Sequence, residues 1–279
     1  MPEGPELYTS RNNLRKILLG KHISSVDIAP TGRYGKKELT GLDSFKKSLI
    51  NDVMGITEID VKGKFMYWTF QDARISMAKQ SYFHCTYGMS GQWLINEVAK
   101  HPVVSFTFSD GTLATFNDPR HFGTAKFVFD FDEHEKKLAS IGPDMMTDCN
   151  VSMFIDRLQL HPKKTLAEVL MNQSIVSGIG NYIKAESLYA ACLSPHRTVE
   201  SLSDADFYEL YYCVRTVMID SYNSGGASIR TYSNVDGTPG TYVFRLKVYG
   251  KKVDEKGREI IREETRDGRV TWWCPDTQK

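Results

Sequence analysis

The stretch MNQSIVSGIGNYIKAESLY (171–189) decides how this chain is read. Its centre, Ser177-Gly178-Ile179-Gly180-Asn181, lies between two helical patterns, so a tight glycine turn feeds directly into a helix N-terminus. Backbone N–H groups left over at such an end, with the helix dipole behind them, suit an anion such as a phosphate. Asn181 adds a side-chain donor. The same glycines also suit a packing corner, where their only task is to let two helices approach closely. From the turn alone the two readings weigh the same.

Outward from the turn, the second half of the chain is helical. NVSMFIDRLQL (150–160) and KTLAEVLMNQS (164–174) carry amphipathic periodicity. SDADFYELYYCVRTVMIDSYNSGG (203–226) adds a longer helix, with Ser203 and Asp206 spaced as a capping box and Gly225-Gly226 as the stop. The last forty or so residues return to strand character, and REIIREETRDGRVTWWC (258–274) turns at Asp267-Gly268.

The first half reads differently. Pro5 and Glu6 suit a first helical turn, and Leu7, Leu14, Ile17 and Leu18 follow at helical spacing before Gly20. Strands then dominate. VVSFTFSDGTLATF (103–116) alternates Val104, Phe106 and Phe108 against Ser105, Thr107 and Ser109 around an Asp110-Gly111 turn. ITEIDVKGKFMYWTF (56–70) and AKFVFDFD (125–132) supply more strands. Around EHEKKLASIGPDMM (133–146) the pattern loosens into charge and a Gly-Pro pair, which predicts a connector between two domains.

Size and composition agree with two globular domains: 279 residues, 41% hydrophobic and 25% charged, net charge +1. Five scattered cysteines form no disulfide framework and predict a reducing, intracellular setting. No apolar run approaches a membrane span, and the N-terminus lacks the apolar core of a signal peptide.

Several residues could carry chemistry. Met89 in YGMSGQW, with Arg120 and Phe122 in FNDPRHFG, are types that wedge into a base stack, an apolar plug opening the step while arginine replaces lost hydrogen bonds. Singly, each is better read as core packing or a surface charge. Arg269, just past the Asp267-Gly268 turn, could reach a phosphate, although a lone exposed arginine is usually a solvated charge. Lys64, beside Gly63 at the base of an aromatic strand, would lower the pKa of an amine held near it.

Set in order, MPEGPEL, KGK, GMSG, DPRHFG, MNQSIVSGIGNYIKAESLY, GGASIRTY, LKVYGK and GRVTWWCP resemble the formamidopyrimidine-DNA glycosylase/endonuclease VIII family of DNA repair enzymes along nearly the whole chain. The resemblance implies an α+β protein of two domains. The N-terminal one (1–135) would be a catalytic β-sandwich with an N-terminal helix. A linker (136–148) leads to a helix–two-turn–helix DNA-binding domain (149–238) and a β-hairpin finger (239–279).

The resemblance also implies a bifunctional glycosylase and abasic-site lyase of base excision repair. Removal of Met1 exposes Pro2 as the nucleophile, Glu3 shuttles protons, and Lys64 contacts phosphate and donates a proton. Arg269 completes the catalytic set from the finger tip. Asn181, with Gly178 and Gly180, grips a phosphate; His101 contacts DNA; Met89, Arg120 and Phe122 fill the void left by the extruded base. Glu6, Gly226, Arg230 and Tyr232 shape the lesion pocket. The implied partner is damaged DNA, acted on by a monomer at the genome, in the nucleus if the host is eukaryotic.

One departure stands out. Family members typically close with four cysteines around a structural zinc. Here Cys274 stands alone, with Thr277 where its partner belongs and no pair in YGKKVDEKGREII. The expectation is therefore no cofactor, no metal, and a zincless finger of the same shape, as in the endonuclease VIII-like branch that prefers oxidised pyrimidines and hydantoins. The rival reading from another class is a noncatalytic relative that only binds damaged DNA; an N-terminal proline acting as an acid–base catalyst on small keto acids ranks far lower.

Overall fold

A computed structural model describes residues 2–49, 53–72, 80–227 and 241–279. The chain divides into two units. The first gathers Pro2 and Glu6–Ala139; the second gathers Glu3–Pro5, Ser140–Ala227 and Thr241–Lys279.

Helix α1 (Gly4–Leu18), in the first unit from Glu6 onward, ends where Gly20 takes φ 79°, a left-handed stop that costs glycine nothing. Eight strands then build two antiparallel four-stranded sheets. One runs β1 (Ile23–Ile28), β6 (Pro102–Phe108), β7 (Leu113–Asn117), β5 (Gln92–Ile95); the other runs β2 (Met54–Lys62), β3 (Phe65–Asp72), β4 (Ser81–Thr86), β8 (Thr124–Val128). Short helices α2 (Arg33–Lys36) and α3 (Leu42–Ser48) lie between β1 and β2, and α4 (Phe131–Ala139) follows β8.

The alternation that predicts the β6–β7 hairpin sorts side chains as expected: Val104, Phe106 and Phe108 are buried while Ser105 and Thr107 face outward. Aromatic rings join the sheets face to face, with Trp68 4.5 Å from Trp93 and Phe83 5.2 Å from Phe106. Each such buried ring contributes about 1.5–3 kcal/mol by burial, so this layer is the main cohesion of the sandwich.

The second unit is helical. Its helices start where the side-chain caps lie. Asn150 accepts from Met153 N at the head of α5 (Val151–Gln159), and capping boxes Thr165/Glu168 and Ser203/Asp206 open α6 (Leu166–Met171) and α8 (Asp204–Asn223). Between them α7 (Asn181–Ala190) is buried from Tyr182 to Leu188 and bonds to α8 through the Tyr182 and Ser221 hydroxyls at 2.8 Å. The chain ends in the hairpin β9 (Ile261–Glu264) and β10 (Val270–Trp273).

The boundary differs from the predicted connector. Helix α4 continues to Ala139. Beyond it the backbone pairs with the glycine turn: Ser177 N donates to Pro143 O at 2.8 Å and Met145 N to Ser177 O at 3.1 Å. Charge and a Gly-Pro pair mark surface chain, but do not reveal that the turn has strand-like edges to offer. The hairpin, predicted as a separate segment, groups with the helical unit. No helix among the described residues is long and apolar enough to cross a membrane.

Candidate active site

The glycine turn does hold an anion at the N-terminus of α7, and that anion is the chain's own. Glu3 Oε1 accepts from Tyr182 N at 3.0 Å and Oε2 from Ile183 N at 3.3 Å. The two donors are first-turn amides that have no partner within the helix, and they sit at the positive end of its dipole. Gly180 makes the approach possible, because a Cβ there would stand 2.1 Å from Glu3 Cδ. Gly178, at φ 91°, accepts from Gly4 N through its carbonyl at 2.9 Å. The glycines of MPEGPEL and SGIGN therefore interlock as backbone against backbone.

The rest of α7 grips the C-terminal segment. Asn181 Nδ2 donates to Val270 O at 2.8 Å, and one turn later Lys184 Nζ reaches Asp267 Oδ2 at 2.7 Å. The Lys184 and Asp267 side chains are 0% and 4% exposed. Burial lowers the Lys184 pKa, and Asp267 opposes that shift. Glu186 accepts three backbone N–H groups, from Lys247, Val248 and Tyr249, at 2.7–3.0 Å. These hold the LKVYGK loop, while burial pushes the carboxyl pKa up against them. Asp267 in the hairpin turn and Val270 after it are thus held, and Arg269 between them is left exposed.

The donor set does not fit a structural zinc. Cys274 is buried and accepts from Thr277 Oγ1 at 3.6 Å; among the described residues no three His, Cys, Asp or Glu cluster to hold a metal. Sequence reading overlooks Lys184 and Glu186. The available signal was two charges inside a helix with almost no polar face, which must find buried partners.

In the sandwich unit Pro2 and Glu6 are buried. Lys64 occupies the second position of the two-residue β2–β3 turn, after Gly63 at φ 60°. Lys62, the other lysine of the motif, donates to Leu138 O at 3.0 Å and is structural. The wedge loops share an organiser, Asp118, which is fully buried. Its carboxylate accepts from Ser90 Oγ at 2.6 Å, Gly123 N at 2.7 Å and Arg120 N at 3.2 Å. One side chain thereby ties GMSG to DPRHFG. Gly88 lets the loops touch, since a Cβ there would lie 2.6 Å from the backbone of Phe122 and Gly123.

Above this base Arg120 stacks over the Phe122 ring at 4.9 Å, with Phe122 55% exposed and Met89 half-buried. An exposed phenylalanine beneath an arginine is not core packing. His101 is exposed beside β6, its N–H given to Asn117 Oδ1 at 2.8 Å.

Each unit therefore collects its own subset. Pro2, Glu6, Lys64, Met89, His101, Arg120 and Phe122 belong to the sandwich; Glu3, Gly178, Gly180, Asn181, Gly226 and Arg269 belong to the helical unit. Gly226, at φ 88°, closes α8 by donating to Ser221 O at 2.8 Å. Arg230 and Tyr232 lie outside the described residues.

Residues 1–125 match the formamidopyrimidine-DNA glycosylase N-terminal domain, and 141–233 match the formamidopyrimidine-DNA glycosylase H2TH domain. The chain belongs to the formamidopyrimidine-DNA glycosylase family. Formamidopyrimidine-DNA glycosylases of Enterococcus faecalis and Halalkalibacterium halodurans are each 31% identical to it, over the whole chain and 98% and 100% of theirs. Among solved structures, a Lactococcus lactis Fpg variant bound to Fapy-dG DNA is 27% identical, with a TM-score of 0.85 and full coverage of both chains. The Lactococcus lactis Fpg complex with abasic-site DNA is 26% identical, with a TM-score of 0.84 and 99% coverage of both. Family and fold together make the chain an Fpg-like DNA glycosylase acting on damaged DNA.

Proposed function

We propose that the chain is a bifunctional DNA glycosylase and abasic-site lyase whose nucleophile is the imino nitrogen of Pro2, freed by removal of Met1. The observation that carries this reading is the fixed place of Glu3. Its carboxylate is bound to the α7 N-terminus through Tyr182 N and Ile183 N, next in the chain to the residue that must react. A noncatalytic binder needs no such fixed carboxylate on the residue that follows its terminal proline.

The Pro2 lone pair attacks C1′ of the damaged nucleotide, and the bond from C1′ to the base breaks. The base leaves with the bonding electrons and takes up a proton. The Pro2 nitrogen loses its proton, and its lone pair then expels O4′, which takes up a proton as the sugar ring opens. The resulting C1′=N⁺ iminium acidifies C2′–H; Glu3 removes that proton and the 3′ phosphate departs. A second elimination expels the 5′ phosphate, and water releases the sugar remnant from Pro2. Lys64 supports the phosphate side of this chemistry as a fixed cation on a hairpin turn.

Met89, Arg120 and Phe122 fill the gap in the duplex, offsetting the few kcal/mol that base extrusion costs. Arg269 and Asn181 hold the strand, with the finger zincless as in the endonuclease VIII-like branch. The substrate class joins oxidised pyrimidines and hydantoins to the ring-opened purines after which the relatives are named. The enzyme works as a monomer.

Borohydride added during incubation with abasic-site DNA should trap a covalent adduct, and peptide mapping should place it on the nitrogen of Pro2. No adduct, or one on a lysine, would overturn the mechanism. Metal analysis of the same preparation should find no stoichiometric zinc.

A further inference from the structure

A cleft of about 390 Å³ opens on the sandwich unit, and none of the residues assigned above lines it. Arg33, Lys37, Lys126 and Lys137 line it against a single carboxylate, Glu38. That is a concentrated positive charge on a chain whose net charge is only +1. The cations come from α2, the residue just after it, β8 and α4, so tertiary structure assembles them.

Not all of this charge is spent. Lys126 pairs with Glu133 at 2.5 Å, and Lys137 lies 5.1 Å over the Phe65 ring. Arg33 gives one N–H to Gly123 O at 3.3 Å, which leaves its charge unneutralised, and Lys37 has no carboxylate partner among the described residues. Both are exposed.

The wall also contains a buried histidine pair. His84, 3% exposed, meets His134 Nδ1 through its Nε2 at 2.9 Å, while its own Nδ1 is buried with no partner. Burial, followed by the neighbouring His134, Lys126 and Lys137, keeps the ring neutral by lowering its pKa to about 3. A neutral imidazole carries one N–H. When His134 donates across the pair, that proton sits on His84 Nδ1.

We propose that this cleft binds a phosphoryl group, with Arg33 and Lys37 matching its charge. A guanidinium fork and an ammonium are the common phosphate partners. The volume falls in the range that holds a small ligand, which suits a nucleoside monophosphate. The phosphate could come from a free nucleotide or from the backbone of a nucleic-acid strand. The site does not depend on the Pro2 chemistry.

The test is NMR titration of the full chain with inorganic phosphate, deoxyadenosine 5′-monophosphate and deoxyadenosine. The first two should shift Arg33, Lys37 and His84 resonances saturably and compete with each other, whereas deoxyadenosine should not. An Arg33→Ala/Lys37→Ala double variant should weaken both at least tenfold with unchanged melting, because both side chains are exposed.

Duplex DNA separates the sources. If the strand supplies the phosphate, the double variant lowers the salt slope of DNA binding by about one to two, and the nucleotide competes with DNA. If a free nucleotide does, the slope is unchanged and both ligands bind together. The proposal fails if neither phosphate ligand saturates, or if the double variant binds them like the parent.

Discussion

The ammonium of Lys184 and the carboxylate of Asp267 meet at 2.7 Å with both side chains withdrawn from solvent. The lysine stands on α7 and the aspartate in the turn between β9 and β10, so one ion pair joins the helix that seats Glu3 to the hairpin that presents Arg269. Asn181 reinforces it from one helical turn away, through Val270 O. The finger is held by side chains of a buried helix, and its precision rests on their being paired.

Removing one partner of that pair should be costly. Lys184→Met leaves Asp267 buried and uncompensated, and a loss of about 3–5 kcal/mol in chemical denaturation is expected. The double variant Lys184→Met/Asp267→Leu should recover much of that loss, because replacing both charges removes the desolvation penalty as well as the attraction. Additive losses would show that the two residues do not interact.

Gly180→Ala tests the seat of Glu3. The new methyl would occupy the space of the carboxylate at 2.1 Å from Cδ, so Glu3 must leave the two amides of α7. The backbone at Gly180 is extended, with φ −121°, and tolerates alanine. The fold should therefore persist while borohydride trapping and strand cleavage slow by about 10²-fold, the usual contribution of a positioned acid or base. Parent-like cleavage rates would detach Glu3 from the reaction.

Arg269 and Asn181 should separate in their response to salt. Arg269→Ala removes a cation, and the dependence of log K on log salt should become shallower by about 0.9. Asn181→Ala removes an uncharged donor and the bond to Val270, so binding should weaken at every salt concentration with the slope preserved. An unchanged slope in Arg269→Ala would take that residue off the phosphates.

Acid should destabilise the sandwich through its histidine pair. Burial holds His84 down to about 3 and lowers His134 as well, whereas unfolded histidines protonate near 6.5. The unfolded chain therefore binds protons first as pH falls. Stability is complete above about 6.5 and declines below it, for His84 towards 3 at up to about 1.4 kcal/mol per pH unit; His134 acts in the same direction. Urea unfolding of the parent at pH 7 and pH 5 should show the decline, and His84→Gln should reduce it. Equal slopes in parent and variant would exclude His84 as its source.

Much of the architecture is legible in the residues themselves. Local rules act on neighbours in the chain, so the α1 stop at Gly20, the Asp110-Gly111 and Asp267-Gly268 turns, and the Ser203/Asp206 capping box all appear where spacing and turn chemistry place them. The 140–148 segment does not, because its partners are carbonyl and amide groups of residues 173–177 that no local pattern exposes. Asp118 hides for a related reason. It reads as one acid in a polar loop, yet it is buried and binds Ser90, twenty-eight positions earlier.

The sequence by itself determined the family, the succession of strands and helices, and the motifs that mark Pro2, Glu3 and the glycine turn, since each is written in short-range pattern and order. Only the tertiary structure decided which anion the α7 N-terminus holds, and that Lys184, Glu186 and Asn181 secure the hairpin. Those outcomes depend on groups from distant parts of the chain losing their water together, and a buried charge then keeps the partner that geometry brings within reach.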